Sequence, residues 1–239
     1  MDDEKKAPRP RSEKLLVQER DLVIFKFLDR VGYANLEQVT RAVGLDGGEK
    51  AQQAIVRRLY LLRRFEYLKV FSTQKGNYYA LTNKSKIDNA LISTIKLDQL
   101  QHHDFLTELF FVVNSKEVVL SERECIAQYK VVGKKGKVPD MVINDWIIEY
   151  ERTNKSSVDC KAVVDYWTSE KAQNLCVVYE SDEIRNRYSA LLNPRVKLLA
   201  SSDYANIMAL LNVTKSAKVS DEHGSGGSEY VENIVNKYR

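Results

Sequence analysis

Apolar positions along the N-terminal third of the chain recur at helical spacing. Between Glu19 and Val31 the residues Leu22, Ile24, Phe25, Leu28 and Val31 form a stripe, and Gly32 follows as a stop. Asn35 is placed to cap a second, short helix running to Val43, with Leu36, Val39 and Val43 inward and Gly44 at its end. After Asp46-Gly47-Gly48 the spacing predicts a longer helix from Glu49 to about Glu66. Its Ala51, Ile55, Leu59 and Leu62 stack on one side, while Lys50, Gln53, Arg57, Tyr60 and Arg64 gather on the other at 100° per residue. The period then drops to two. Stretches 67–71 and 77–81 alternate around the basic, polar tip Thr73-Gln74-Lys75-Gly76-Asn77, which predicts a hairpin.

A polar connection at 83–92 leads into a long predicted helix, 95–114, with Leu97, Leu100, Leu106, Leu109 and Phe110 at core spacing. This helix carries His102, His103, Asp104 and Glu108. Residues four apart share a face, so Asp104 and Glu108 project together as candidate metal-site carboxylates. His103, beside Asp104, is a candidate acid, base or phosphate ligand near neutral pH. Beyond it, 118–120 and 126–132 are expected as strands, followed by the basic loop Gly133-Lys134-Lys135-Gly136-Lys137. Later segments alternate: helix 158–170, strand 175–179, helix 182–192, strand 195–200 and helix 203–211.

The stretch from Val138 to Lys161 holds the densest chemistry. Asp140 opens the apolar run Met141-Val142-Ile143, Asn144-Asp145 supplies turn residues, and Trp146-Ile147-Ile148-Glu149-Tyr150-Glu151 returns as a second strand. Glu149 and Glu151 fall on one face, about 6–7 Å apart along the strand, with Tyr150 on the other. Asp140 enters the neighbouring strand beside Pro139. Carboxylates gathered in this way suit a hard divalent cation, Mn²⁺ or Mg²⁺. The competing reading is a solvated strand face paired with Arg152, Lys155 and Lys161.

Composition adds bounds. The chain has 239 residues, 44% of them hydrophobic, and a net charge of +4, a mild basic excess that permits nucleic acid without demanding it. Cys125, Cys160 and Cys176 are odd in number and lack metal-ligand spacing, so buried reduced thiols and a cytoplasmic protein are expected. The N-terminal 1–18 is expected as a disordered charged arm with no signal-peptide apolar core, and 213–239 as a flexible tail with a candidate short helix.

Three helices followed by a basic-tipped hairpin are the organisation of a winged helix-turn-helix, expected over 19–84. Lys50, Gln52, Gln53, Arg57, Arg64 and Lys75 are then the candidate DNA-binding residues, with the glutamines and Arg57 as base readers. A winged helix that binds protein instead is the alternative. The second half, 95–212, orders its elements like a restriction-endonuclease core, so the expected fold is α+β or α/β: a winged helix followed by a nuclease-like domain.

Taken in order, the winged helix, His103-Asp104 with Glu108, Pro139-Asp140, Glu149-x-Glu151, and a helix with Lys161 and Tyr166 resemble the replication-relaxation proteins. More narrowly, they resemble the MOBC relaxases of mobilizable and conjugative plasmids, across about residues 15–212. The carboxylate set itself resembles the PD-(D/E)xK nuclease core, with Glu151 where the usual lysine stands. The resemblance implies metal-dependent nicking of double-stranded plasmid DNA at a transfer origin, with a coupling protein and accessory relaxosome proteins as partners. In that reading Asp140 and Glu149 bind Mn²⁺ or Mg²⁺, and Glu151 completes the site or acts as base. Lys161, or Lys155, neutralises charge on the phosphate. Cleavage is hydrolytic or passes through a tyrosine, for which Tyr166 is the candidate. The commoner relaxase design, three clustered histidines, has no support in a chain whose histidines are His102, His103 and His223. A non-catalytic DNA-binding replication or regulatory protein is the alternative from another class, and a protein-recruiting scaffold a third.

Overall fold

The computed structural model describes residues 15–44, 48–85, 95, 99–113, 119–129, 137–203, 206, 207 and 209. Outside them lie most of the expected N-terminal arm, the basic loop up to Gly136, residues 86–92 of the connection and the C-terminal tail. Met1–Ser202 and Asp203–Arg239 form two compact units. In the second, the Asn206 N–H donates to Asp203 Oδ1 at 3.1 Å, and much of the helix expected at 203–211 lies outside the described residues.

Helix α1 (Glu19–Val31) begins with a capping box between Gln18 and Asp21, and Gly32, at φ 90°, closes it by donating its N–H to Leu28 O at 2.8 Å. Strand β1 (Tyr33–Asn35) follows, an element the sequence pattern missed because three residues are too few to show alternation. Asn35 then caps α2 (Leu36–Ala42), accepting the Gln38 N–H at 3.0 Å, as expected from the sequence. Helix α3 (Glu49–Arg64) buries Ile55, Leu59 and Leu62, also as expected. Strands β2 (Leu68–Thr73) and β3 (Gly76–Leu81) form the hairpin, and β1 joins it in the antiparallel order β1-β3-β2. Asp21, fully buried, fastens α1 to α3 through Arg58, whose Nε lies 2.7 Å from Asp21 Oδ1.

Helix α4 (Leu100–Val113) leads to a five-stranded sheet built from β4 (Val119–Leu120), β5 (Met141–Ile143), β6 (Trp146–Glu151), β7 (Asn174–Tyr179) and β8 (Val196–Ala200) in that order. The first two pairings are antiparallel and the last two parallel. Helices α6 (Ser157–Asp165) and α7 (Asp182–Ser189) occupy the parallel crossovers, and α6 runs on into a π-helical turn, Tyr166–Glu170. Val163, Val164, Trp167, Ile184 and Tyr188 from these helices pack with Val142, Ile147, Leu175 and Val177 of the sheet. The architecture is mixed α+β.

One expected strand is a helix. Residues 126–129 belong to α5 (Glu122–Tyr129), and 130–132 lie outside the described residues. The reason is local: Glu124 accepts the Ser121 N–H at 2.8 Å while Ser121 Oγ accepts the Glu124 N–H at 3.3 Å. This reciprocal capping box starts a helix that a short apolar run could not overrule. All three cysteines are buried and free, as expected. Among the described residues, no helix is long and apolar enough to cross a membrane.

Candidate functional site

The β5–β6 hairpin places its carboxylates as its register dictates. Met141 pairs with Ile148, so Asp140 stands one step beyond the ladder, opposite Glu149. The Tyr150 N–H donates to Asp140 Oδ2 at 2.8 Å and holds that side chain against the strand end. Glu149 is buried and accepts Trp167 Nε1–H at 2.8 Å. Burial first, then the charge of Asp140, push the Glu149 carboxyl up to about 8. Glu151, on the same face, accepts Lys155 Nζ at 2.5 Å and the Tyr188 hydroxyl at 3.0 Å. Burial would lower the Lys155 ammonium, but the hydrogen bond and charge of Glu151, with Glu149 and Asp140, raise it. Lys137, the described end of the basic loop, is held below its usual value by burial and feels Glu149 and Glu151.

The opposite face of β6 belongs to α4. Phe105 stacks on Tyr150 with ring centres 4.0 Å apart, and His102 lies 5.3 Å from the same ring. His102 Nε2 is 3.3 Å from Asp140 Oδ1. Burial alone would lower its imidazole, but the hydrogen bond and charge of Asp140, helped by Glu122, raise it. Glu122 in turn is raised by burial and by the charge of Asp140. Sequence reasoning missed both residues as neighbours of Asp140. The capping box around Ser121 was the signal for Glu122, whereas nothing local distinguishes His102 from His103.

Five expected site residues lie elsewhere, Asp104 among them, since it accepts the Tyr78 hydroxyl at 2.9 Å and faces Lys75. His103 is buried, stacks on Tyr33 at 3.7 Å, and places Nε2 2.7 Å from the Tyr33 carbonyl, so it clamps α4 to β1. Successive helical residues point about 100° apart, which is why His102 and not His103 reaches Asp140. Glu108 accepts Gln38 Nε2 at 3.3 Å and pairs with Arg41 on α2, far from the role of metal ligand. Lys161 pairs with Asp165 on the exposed side of α6, and Lys155 is the lysine at the carboxylates. Tyr166 packs edge-on against Trp167, 4.7 Å between centres, as a flank of the hydrophobic cluster.

Burial holds the His103 imidazole down to about 4. Its lowered folded value means that the unfolded chain binds the extra proton between roughly pH 6.5 and 4, so stability falls as pH falls through that window. Urea unfolding of His103→Gln should show a smaller loss between pH 6.5 and 4.5 than the wild type. Equal losses would show that His103 does not stay neutral in the fold.

The α3 face behaves as a solvent face. Lys50, Gln52, Gln53, Arg57 and Arg64 are all exposed, with Gln53 donating to Glu49 at 3.2 Å. Lys75 sits at the β2–β3 tip, 3.8 Å from Asp104, which also accepts the Tyr78 hydroxyl.

Among the described residues, no group of three His, Cys, Asp or Glu side chains stands ready to hold a metal ion. The donor chemistry that is present still fits a hard cation. Asp140 and Glu149 are neighbouring carboxylates, and burial first, then the charge of Asp140, raise Glu149 to about 8. Mg²⁺ is commonly held by one or two carboxylates, with water and substrate phosphate completing its shell. No protein-family model, curated protein or solved structure matches the chain.

Proposed function

We propose that this protein is a metal-dependent DNA-nicking endonuclease with a winged-helix DNA-binding module at 19–84 and a restriction-endonuclease-like domain at 95–212. Nicking at a plasmid transfer origin, as a relaxase, is the specific form that the family resemblance implies. The observation that carries the reading is the pairing of Asp140 and Glu149 at one strand end with the ammonium of Lys155 beside them. Asp140 and Glu149 would hold Mn²⁺ or Mg²⁺, which when bound supplies positive charge at the scissile phosphate. Tyr150 N–H and His102 orient Asp140, and Trp167 orients Glu149. Glu151 positions Lys155, which neutralises charge developing on the phosphate. The helix and strand order from α1 to β3 supports the DNA-binding half, as do the exposed cations of α3.

Supercoiled plasmids carrying candidate transfer origins should convert to open circles with Mn²⁺ or Mg²⁺ and not with chelator. Absence of conversion under every condition would remove the catalytic reading. One observation favours the alternative, a non-catalytic DNA-binding replication or regulatory protein: Glu151 is already partnered by Lys155 and Tyr188. Duplex binding without nicking is the outcome that selects it.

Phosphate contacts are tested separately. Neutralising Arg57 and Lys75 together should weaken duplex binding and reduce the slope of log affinity against log salt by about one to two, because each lost contact releases fewer counterions. An unchanged slope would point to a module that recruits protein.

A further inference from the structure

We infer that Val56 and Tyr60 form a thymine-reading patch, seated in the major groove of duplex DNA against the 5-methyl groups of thymine. The inference rests on the proposed DNA binding by α3 and deepens it by assigning the residues that read sequence there. Helix α3 turns Ile55, Leu59 and Leu62 into the core, yet Val56 remains 44% exposed and Tyr60 60% exposed on its outer side. The outer face of an amphipathic helix normally goes to polar side chains, and here two groups with apolar bodies stand exposed on it one turn apart.

Their setting indicates the occupant. At 100° per residue Val56 and Tyr60 stand about 40° apart on the exposed side, with Gln53 next to Tyr60. Around the helix Arg63 stands beside Val56 on one side, and Arg64, Arg57 and Lys50 follow beyond Tyr60 and Gln53 on the other. All four cations are exposed, and none forms an ion pair among the described residues. Glu49, the acid on this face, already accepts from Gln53. An apolar pair flanked by cations complements a groove whose floor carries methyl groups and whose rims are phosphate. An apolar protein partner would leave those cations facing nothing of opposite charge. Val56 has no donor or acceptor beyond its backbone, so the thymine methyl is the base-edge group it is suited to contact.

The test uses the full-length protein and duplexes that it enriches from a random pool. Each thymine in an enriched duplex is replaced singly by deoxyuridine, which removes the methyl and keeps the hydrogen-bonding pattern. Wild-type binding should weaken about three- to five-fold at one or more positions, the value of one buried methyl group. Val56→Ala and Tyr60→Ala should each lose discrimination at one such position with an unchanged salt slope, while Val56→Thr, which keeps a γ-methyl, should retain it. Binding with indifference to deoxyuridine at every position overturns this inference alone, as does an undiminished preference in both alanine variants. Failure to enrich any duplex overturns it together with the DNA-binding reading.

Discussion

Asp140→Ala and Glu149→Ala are each expected to lower nicking by at least about two orders of magnitude while leaving the fold and duplex affinity in place. Charge stabilisation at a transferring phosphate is worth several kcal/mol, and each 1.4 kcal/mol is about ten-fold in rate. The fold should survive because Asp140 lies at a strand end and because the ionised form of Glu149 is disfavoured in its own site. Burial and Asp140 hold its carboxyl near 8, above the value of an unfolded glutamate. A raised carboxyl costs stability as pH rises through that interval, so Glu149→Gln should melt higher than wild type at pH 8 and lose that advantage towards pH 5. Mn²⁺ should raise the melting temperature of the wild type by mass action and raise it less in the alanine variants. Lys155→Ala should slow nicking and Lys161→Ala should not, since Lys161 spends its charge on Asp165. No metal response in the wild type, with nicking unaltered in Asp140→Ala and Glu149→Ala, would remove this hairpin as the active site.

The largest expected loss of stability lies well away from the hairpin. Asp21 is fully buried, accepts the N–H of Gln18 at 2.8 Å, and is gripped by Arg58, whose guanidinium also donates to the Leu16 carbonyl at 2.8 Å. Donation to the Asp21 carboxylate raises the Arg58 guanidinium against the opposing effect of burial. Removing one partner of a buried pair leaves the other charge desolvated and unpaired, at a cost of about 3–5 kcal/mol. Asp21→Ala should therefore shift the urea midpoint of the first unit strongly downward. The double variant Asp21→Ala/Arg58→Met should recover part of the loss, since no charge is then stranded. A shift below about 1 kcal/mol in Asp21→Ala would mean that water reaches the pair.

Whatever rests on neighbours a few residues apart was legible along the chain. The bounds of α1, the Asn35 cap and the inner face of α3 follow from helical period and capping chemistry, which act within one or two turns. The Asn144-Asp145 turn did the same for β5 and β6: with Asn144 at φ 56°, the two-residue connection fixes their register and hence sets Asp140 opposite Glu149. The α5 capping box was equally local, and reading 126–132 as a strand gave too much weight to a few apolar residues.

Which side chains meet across elements depends on how those elements pack. His102 and His103 are indistinguishable by propensity, yet packing of α4 between β1 and β6 sends one to Asp140 and the other to the Tyr33 carbonyl. Glu108 projects from α4 as expected, but that face abuts α2, so Gln38 and Arg41 claim it. Lys155 reaches Glu151 from just past the strand end, whereas Lys161 lies on the outer side of α6. Lys155 and Lys161 each pair with an acid only four residues away, whereas for the residues of α4 the physical reason is docking. Period and caps fix a side chain's direction about its own helix or strand, but the partner is set by how the elements dock, through contacts between residues tens of positions apart in the chain.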